Sequence, residues 1–177
     1  MKKEPRPAVD FSAVRLLLLD VDGVLTPGDV IYDDHGVQIK TFHVRDGLGI
    51  RMLMDAGIRV GIITGRKSMA LAHRCENLGI DILYQGVKDK TVVLKGVLDQ
   101  TGVPARETAY MGDDLPDLAV MKKVGIPIAV ADACKEILEC AMHITTRKGG
   151  QGAVREICEA ILKAKGLWPE VIKRFDA

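Results

Sequence analysis

The sequence predicts a doubly wound α/β domain, a parallel sheet covered by helices, with one β-hairpin inserted. Three observations carry this reading. Short apolar runs of strand length alternate with longer segments of helical period. Polar residues gather just past the carboxyl ends of those runs, where open parallel sheets bind ligands. One segment alone, residues 30–44, breaks the alternation. With 177 residues, the chain is long enough to bury such a core without disulfides.

Taken in order, the first strand is the apolar run at residues 15–19, which ends abruptly in Asp20. The insertion spans about residues 28–44. Its core, "VIYDDHGVQIKTFHV", places two β-runs around Asp33, Asp34, His35 and Gly36, a hairpin signature. Val37, Ile39 and Thr41 face one way and Gln38, Lys40 and Phe42 the other. A lone hairpin is marginal in water, so this one is expected to dock on something. A helix follows, with Leu48, Met52 and Leu53 as its apolar stripe, and then strands at 59–63 and 82–84. The next helix is expected to bury Val92, Val93, Gly96 and Val97; strands at 108–111 and 126–130 and a short one near 142–144 complete the sheet. In the tail, residues 147–177, Val154, Ile157, Cys158, Ile161 and Leu162 form an i, i+3, i+4, i+7 face on a closing helix. No repeat or linker divides the chain, so residues 1–177 are expected to form a single domain.

Composition excludes several function classes. Twenty-five basic residues face 24 acidic ones, a formal net charge of +1, and the two signs are interspersed. That balance leaves no electrostatic footprint for a nucleic acid backbone. Cys75, Cys134, Cys140 and Cys158 lie far apart with no C-x-x-C pair, which suits small buried hydrophobes in a reducing compartment. No apolar run reaches membrane-spanning length, and "MKKEPRPAVDFSA" lacks the apolar stretch of a signal peptide. A soluble, cytoplasmic protein without membrane or nucleic-acid partners is expected.

The chemistry lies at the strand ends. The first strand delivers Asp20, Val21, Asp22 and Gly23, the second Thr64, Gly65 and Arg66, and the fourth Gly112, Asp113 and Asp114, with Asp117 close behind; Lys90 opens the helix after the third. Carboxylates at the end of a buried run cost several kcal/mol unless paired or metal-bound, on the order of known desolvation penalties. Several carboxylates, a hydroxyl and an ammonium suit phosphoryl transfer through an aspartyl-phosphate, which splits one hard hydrolysis into two displacements. Asp20 and Asp113 are hard oxygen donors suited to Mg²⁺. Taken singly, the motifs have other readings: a D-x-D can be a nucleotide-sugar metal site, Thr64-Gly65 a turn, and "GDDLPD" a helix cap.

In order and together, "DVDGVLT", "TGR", Lys90 and "GDDLPD" resemble the four motifs of the haloacid dehalogenase-like phosphohydrolases. The resemblance implies Asp20 as nucleophile and Asp22 as general acid/base that also offers its backbone carbonyl to the metal. It implies Thr64 and Lys90 on the transferring phosphoryl group, with Asp113 completing the Mg²⁺ shell. Asp114 and Asp117 would then hold Lys90 or a metal-bound water. Gly23 and Gly65 would allow close approach of the phosphate.

Many members of that superfamily carry a cap domain after the first or second motif, and neither interval here has room for one. Within the capless members, "FHVRDGLGI", "AVADA" and "RKGGQGAVRE" resemble the 3-deoxy-D-manno-octulosonate 8-phosphate phosphatases, over nearly the full chain. That resemblance implies a Mg²⁺-dependent homotetramer in lipopolysaccharide inner-core synthesis, built through the hairpin, with neighbouring subunits supplying a lid. Arg66, His43, Arg45 and Arg155 are the expected contacts to a phosphorylated sugar acid. The nearby alternative is a phosphatase for a nine-carbon sialic-type 2-keto acid 9-phosphate, against which Arg66 argues. Outside enzymes, a phospho-acceptor signalling domain or a non-catalytic oligomeric scaffold are the alternatives.

Overall fold

The computed structural model describes residues 9–176. The chain runs β1 (Leu16–Leu19), β2 (Ile31–Tyr32), β3 (Gln38–Ile39), α1 (Val44–Asp55), β4 (Arg59–Ile63), α2 (Met69–Leu78), β5 (Ile82–Tyr84) and α3 (Lys90–Thr101). It continues through β6 (Thr108–Gly112), α4 (Leu118–Met121), β7 (Ile126–Ala129), α5 (Lys135–Cys140), β8 (His143–Ile144), α6 (Ala153–Ala164) and α7 (Trp168–Lys173). Six strands form one sheet in the order β5-β4-β1-β6-β7-β8, and every pairing in it is parallel. Strands β2 and β3 pair antiparallel as the separate hairpin.

The order places the site. From β1 the chain winds outward through β4 and β5, then crosses back to lay β6 on the other side of β1. The winding reverses between β1 and β6, and a doubly wound sheet opens its crevice at that reversal, beyond the carboxyl ends. Asp20 and Asp113 follow those two strands directly. All four leucines of β1 are fully buried, as a central parallel strand covered on both faces requires.

Helix α6 packs along α1 with its predicted face buried. The junction is fastened by Asp46, a buried acid whose Oδ1 accepts the Arg155 backbone N–H at 2.8 Å. Asp46 therefore satisfies an otherwise orphaned donor in the first turn of α6.

Two expectations need correction. Leu48 is exposed, and the buried face of α1 is instead Ile50, Met52 and Leu53. On α3, Val92 and Gly96 face outward, while Lys90, Leu94 and Val97 face in at i, i+4, i+7. The helix turns Lys90 toward the core, a position that hydrophobic periodicity counts as polar, and this shifts the phase of the stripe. The hairpin does not bury its outer apolar face on its own chain: Val30, Ile31, Tyr32, Val37 and Ile39 are all exposed. All four cysteines are free; Cys75 and Cys158 are buried, and Cys134 and Cys140 half-buried. Among the described residues no helix is long and apolar enough to cross a membrane.

Candidate active site

After β1 the chain folds tightly around one acceptor, the Val21 carbonyl, which receives the backbone N–H groups of Val24, Leu25 and Thr26. The turn needs Gly23 at φ 87°, in the left-handed region where glycine is favoured. A Cβ there would also lie 2.0 Å from Asp113 Oδ2. The tail loop presses on the same turn: Gly150 N–H donates to the Val24 carbonyl at 2.8 Å, and a Cβ on Gly149 would sit 1.7 Å from the Gly23 carbonyl oxygen. Thus the "GGQG" run forms the back wall of the first motif.

The Lys90 ammonium is the hub. It lies 2.9 Å from Asp20 Oδ1 and 2.6 Å from Asp117 Oδ1, and donates to the Tyr110 hydroxyl at 3.2 Å. Tyr110 in turn donates to Asp117 Oδ1 at 2.7 Å, and the Asp113 backbone N–H donates to Asp117 Oδ2 at 3.1 Å. Asp117 is fully buried with both oxygens engaged, so it acts as the anchor that fixes Lys90 and the Asp113 backbone. Asp114 is exposed and its carbonyl accepts the Asp117 N–H. Thr64 is buried at the end of β4, its backbone held by Tyr84 and Val87.

Electrostatics show what this arrangement is for. Ligand oxygens of Asp20, Asp113 and Asp117 lie within 4.8 Å of one another. Three carboxylates face the single ammonium of Lys90, a formal local charge of about −2 when all are ionised. Burial, with repulsion from Asp20, Asp117 and Asp114, pushes the Asp113 carboxyl up to about 8 despite Lys90. Burial and Asp117 likewise push Asp20 up to about 6, with Lys90 offsetting part. Burial works against the charge on Lys90, but Asp20 and Asp117 outweigh it and hold the ammonium above its usual value. Asp113 Oδ1 is buried without a hydrogen-bond partner. A hard divalent cation resolves both the excess charge and the orphaned oxygen, so the residues present fit Mg²⁺.

Asp22 points to the more open side, its side chain 24% exposed. Lys40 of the hairpin contacts its Oδ1, and Arg66 Nε lies 4.0 Å from its Oδ2. Gly65 follows Thr64 at the β4 end. His43 is the N-terminal cap of α1. Arg45, Arg147 and Arg155 line a separate open groove whose lining includes none of Asp20, Asp22, Asp113 and Asp117. There the Arg155 guanidinium bonds Glu159 at 2.7 Å and stacks over Trp168. The structure therefore brings together Asp20, Asp22, Gly23, Thr64, Lys90, Asp113 and Asp117 with Arg66 at their edge, and within one chain it sets Arg45 and Arg155 apart.

Sequence reasoning missed two members. Tyr110 reads as an ordinary strand aromatic, yet a buried tyrosine needs a partner for its hydroxyl, and that was the available signal. Lys40 reads as a hairpin surface lysine; its alternation with Phe42 on the inward face was the clue.

Comparison with known proteins agrees with this geometry. The haloacid dehalogenase-like hydrolase family matches residues 80–157. The 3-deoxy-D-manno-octulosonate 8-phosphate phosphatase of Escherichia coli K12 is 46% identical over 153 residues, covering 86% of this chain and 81% of that protein. The Haemophilus influenzae enzyme of the same name is 44% identical, covering 86% and 85%. A crystal structure of the Moraxella catarrhalis phosphatase with magnesium, phosphate and KDO superposes with a TM-score of 0.91 at 41% identity, covering 94% of this chain and 95% of that one. With the acids, the lysine and the glycine turn all in register at the sheet's point of reversal, the chain belongs to the 3-deoxy-D-manno-octulosonate 8-phosphate phosphatases, within the haloacid dehalogenase-like hydrolases.

Proposed function

We propose that this protein hydrolyses 3-deoxy-D-manno-octulosonate 8-phosphate to the free sugar acid and phosphate, with Asp20 as the nucleophile. The observation that carries the reading is the Asp20 carboxylate, held by Lys90 at the carboxyl end of β1, with the freer acid Asp22 two residues on. Asp20, Asp113 and the Asp22 backbone carbonyl would hold Mg²⁺, which would supply positive charge against the phosphate oxygens.

The protein's own groups do the rest. Lys90 fixes Asp20 through Oδ1, which orients the carboxylate for attack on phosphorus. As the new O–P bond forms, the bond to the sugar C8 oxygen breaks, and that oxygen takes a proton from the Asp22 carboxylic acid. Thr64 donates to the equatorial phosphoryl oxygens. A water then attacks the phospho-Asp20 phosphorus and gives its proton to Asp22, while the bond to Asp20 breaks and frees phosphate. Both aspartates return to their starting states, so atoms and protons balance over the cycle. Arg66, beside Asp22 at the rim, is the cation we place on the sugar carboxylate, where a planar guanidinium recognises both oxygens.

Five exposed apolar residues on the hairpin, Val30, Ile31, Tyr32, Val37 and Ile39, support assembly through that element, as a homotetramer. A neighbour seated there would bring surface toward an open, capless site, and we assign the enzyme to the cytoplasm. The test is phosphate release from eight- and nine-carbon 2-keto-acid phosphates side by side, with sedimentation of the same sample. A higher kcat/KM for the eight-carbon substrate is expected. Preference for the nine-carbon substrate would overturn the assignment.

A further inference from the structure

The hairpin lies against the active site of its own chain as well as exposing an apolar face. Its alternation sorts the two jobs. Val37 and Ile39 point to solvent, while Lys40 and Phe42 turn inward: Phe42 packs on the core under the Arg74 guanidinium, and the Lys40 side chain is only 2% exposed. A lysine side chain is seldom so covered without a charged partner. Here the partner is Asp22 Oδ1. The other arm makes a second contact, since the Tyr32 hydroxyl accepts from Arg66 Nη2 at 3.4 Å. One hairpin thus touches both the acid/base and the arginine at the rim.

We infer that Lys40 is a positioning residue for the acid/base: by occupying Asp22 Oδ1 it fixes the rotation of the carboxyl group and leaves Oδ2 as the oxygen that exchanges a proton with the leaving group and with water. Arg66 Nε, 4.0 Å from Oδ2, is too distant to hydrogen-bond it and does not compete. The Asp22 side chain is partly open to solvent, so without a fixed partner its carboxyl group samples several rotamers. Proton transfer needs donor and acceptor within about 2.6–3.2 Å. A displacement of about 1 Å can cost on the order of 100-fold in rate. The inference rests on the proposed role of Asp22 and extends it to the hairpin.

Lys40→Gln and Lys40→Arg test it, the first keeping much of the side-chain length without the charge and the second keeping the charge. Initial rates are measured with an alkyl phosphate, the eight-carbon sugar phosphate, and with p-nitrophenyl phosphate, whose leaving group departs without a proton. For Lys40→Gln, kcat on the alkyl substrate is expected to fall at least about 10-fold with KM within about 2-fold, while single-turnover release of p-nitrophenolate, which reads the first half-reaction alone and leaves out the water step at Asp22, falls no more than about 2-fold. Lys40→Arg is expected to recover part of the alkyl rate. Equal losses on both substrates, a loss confined to KM, or no loss would each overturn the role. Circular dichroism and sedimentation accompany each variant, and if Lys40→Gln fails to fold, Lys40→Met, which keeps an unbranched stem without the charge, is read by the same criteria. Any alkyl phosphate turned over by the wild type serves, so an error in the substrate assignment shows in the wild-type screen and an error about Lys40 shows in the alkyl-to-aryl ratio.

Discussion

Replacing Asp117 by alanine removes the anchor of Lys90, and the structure sets the size of the effect. Three donors lose an acceptor: the Tyr110 hydroxyl, the Asp113 backbone N–H and one of the Lys90 contacts. An abandoned buried donor costs roughly 1–3 kcal/mol. Lys90 keeps Asp20, so its share falls at the low end. Removing one of three clustered carboxylates also relieves the repulsion that Asp117 exerts on Asp20 and Asp113, which offsets part of the loss. The net expectation is a destabilisation of about 2–5 kcal/mol, a large part of the roughly 5–15 kcal/mol that holds a typical domain together. Urea unfolding followed by circular dichroism in metal-free buffer measures it. Tyr110→Phe should cost less, about 1–2 kcal/mol, since it deletes two hydrogen bonds, one to Asp117 and one from Lys90, while Lys90 keeps Asp20 and Asp117 as acceptors. In the double variant the two losses should fall short of additivity, because both delete the same Tyr110–Asp117 bond. A loss under about 1 kcal/mol for Asp117→Ala would refute the anchoring role.

Asp20→Asn should reduce phosphate release to background while the unfolding midpoint stays near or above that of wild type, because a buried repulsive charge is removed; substantial turnover by a folded variant would rule out Asp20 as nucleophile. In metal-free protein Asp20 and Asp113 carry folded-state values of about 6 and about 8 against 3.8 unfolded, so the folded state binds more protons. Their contribution to stability is full below pH 3.8 and is lost as pH rises through about 6 and then about 8. Mg²⁺ must displace those protons, so its affinity and the Tm increase it produces should both grow between about pH 6 and about pH 8; a Tm increase that shrinks over that window would contradict the shared site. Gly149→Ala would place a Cβ 1.7 Å from the Gly23 carbonyl oxygen, forcing the first motif to move. It should lower both Tm and kcat, and a neutral result would show that the tail loop does not support the motif.

Much of this was legible in the sequence because the informative residues are local. An apolar run that ends in an acid fixes both a central strand and the place where its catalytic residue emerges, so β1, β4, β5, β6 and β7 fell within a residue of their expected bounds. The convergence of Asp20, Thr64, Lys90 and Asp113 followed from the rule that parallel strands present their carboxyl ends together. What failed was phase and partnership. The α3 stripe differs from its hydrophobic period because the helix turns a lysine toward the core, a residue that periodicity counts as polar. Tyr110 and Lys40 owe their importance to partners 7 and 18 residues away in sequence, and no local pattern encodes such pairings. The short helix α7 follows Gly166 with too few turns to show a period.

The segments most distinctive in sequence have structural work within the chain. Asp46 of "HVRDG" closes α1 on α6, and the glycines of "RKGGQG" lie against the turn that carries Asp22 and Gly23. The glycines brace the acid cluster from behind, Asp46 ties the two helices together, and the neighbouring Arg45 and Arg155 open on a different groove. The acids and Lys90 treat any phosphomonoester alike, since they address only the phosphoryl group and its leaving oxygen. Under the proposed function, selectivity for a sugar acid would within one chain fall to the rim, to Arg66 and to Tyr32, whose hydroxyl accepts from it, while Lys40 stays behind Asp22. The same hairpin displays the apolar face available to a second copy. Assembly through that face would stiffen the arm that holds Lys40, so the rate of proton transfer at Asp22 would depend on oligomerisation even if no residue of a neighbour touched the substrate.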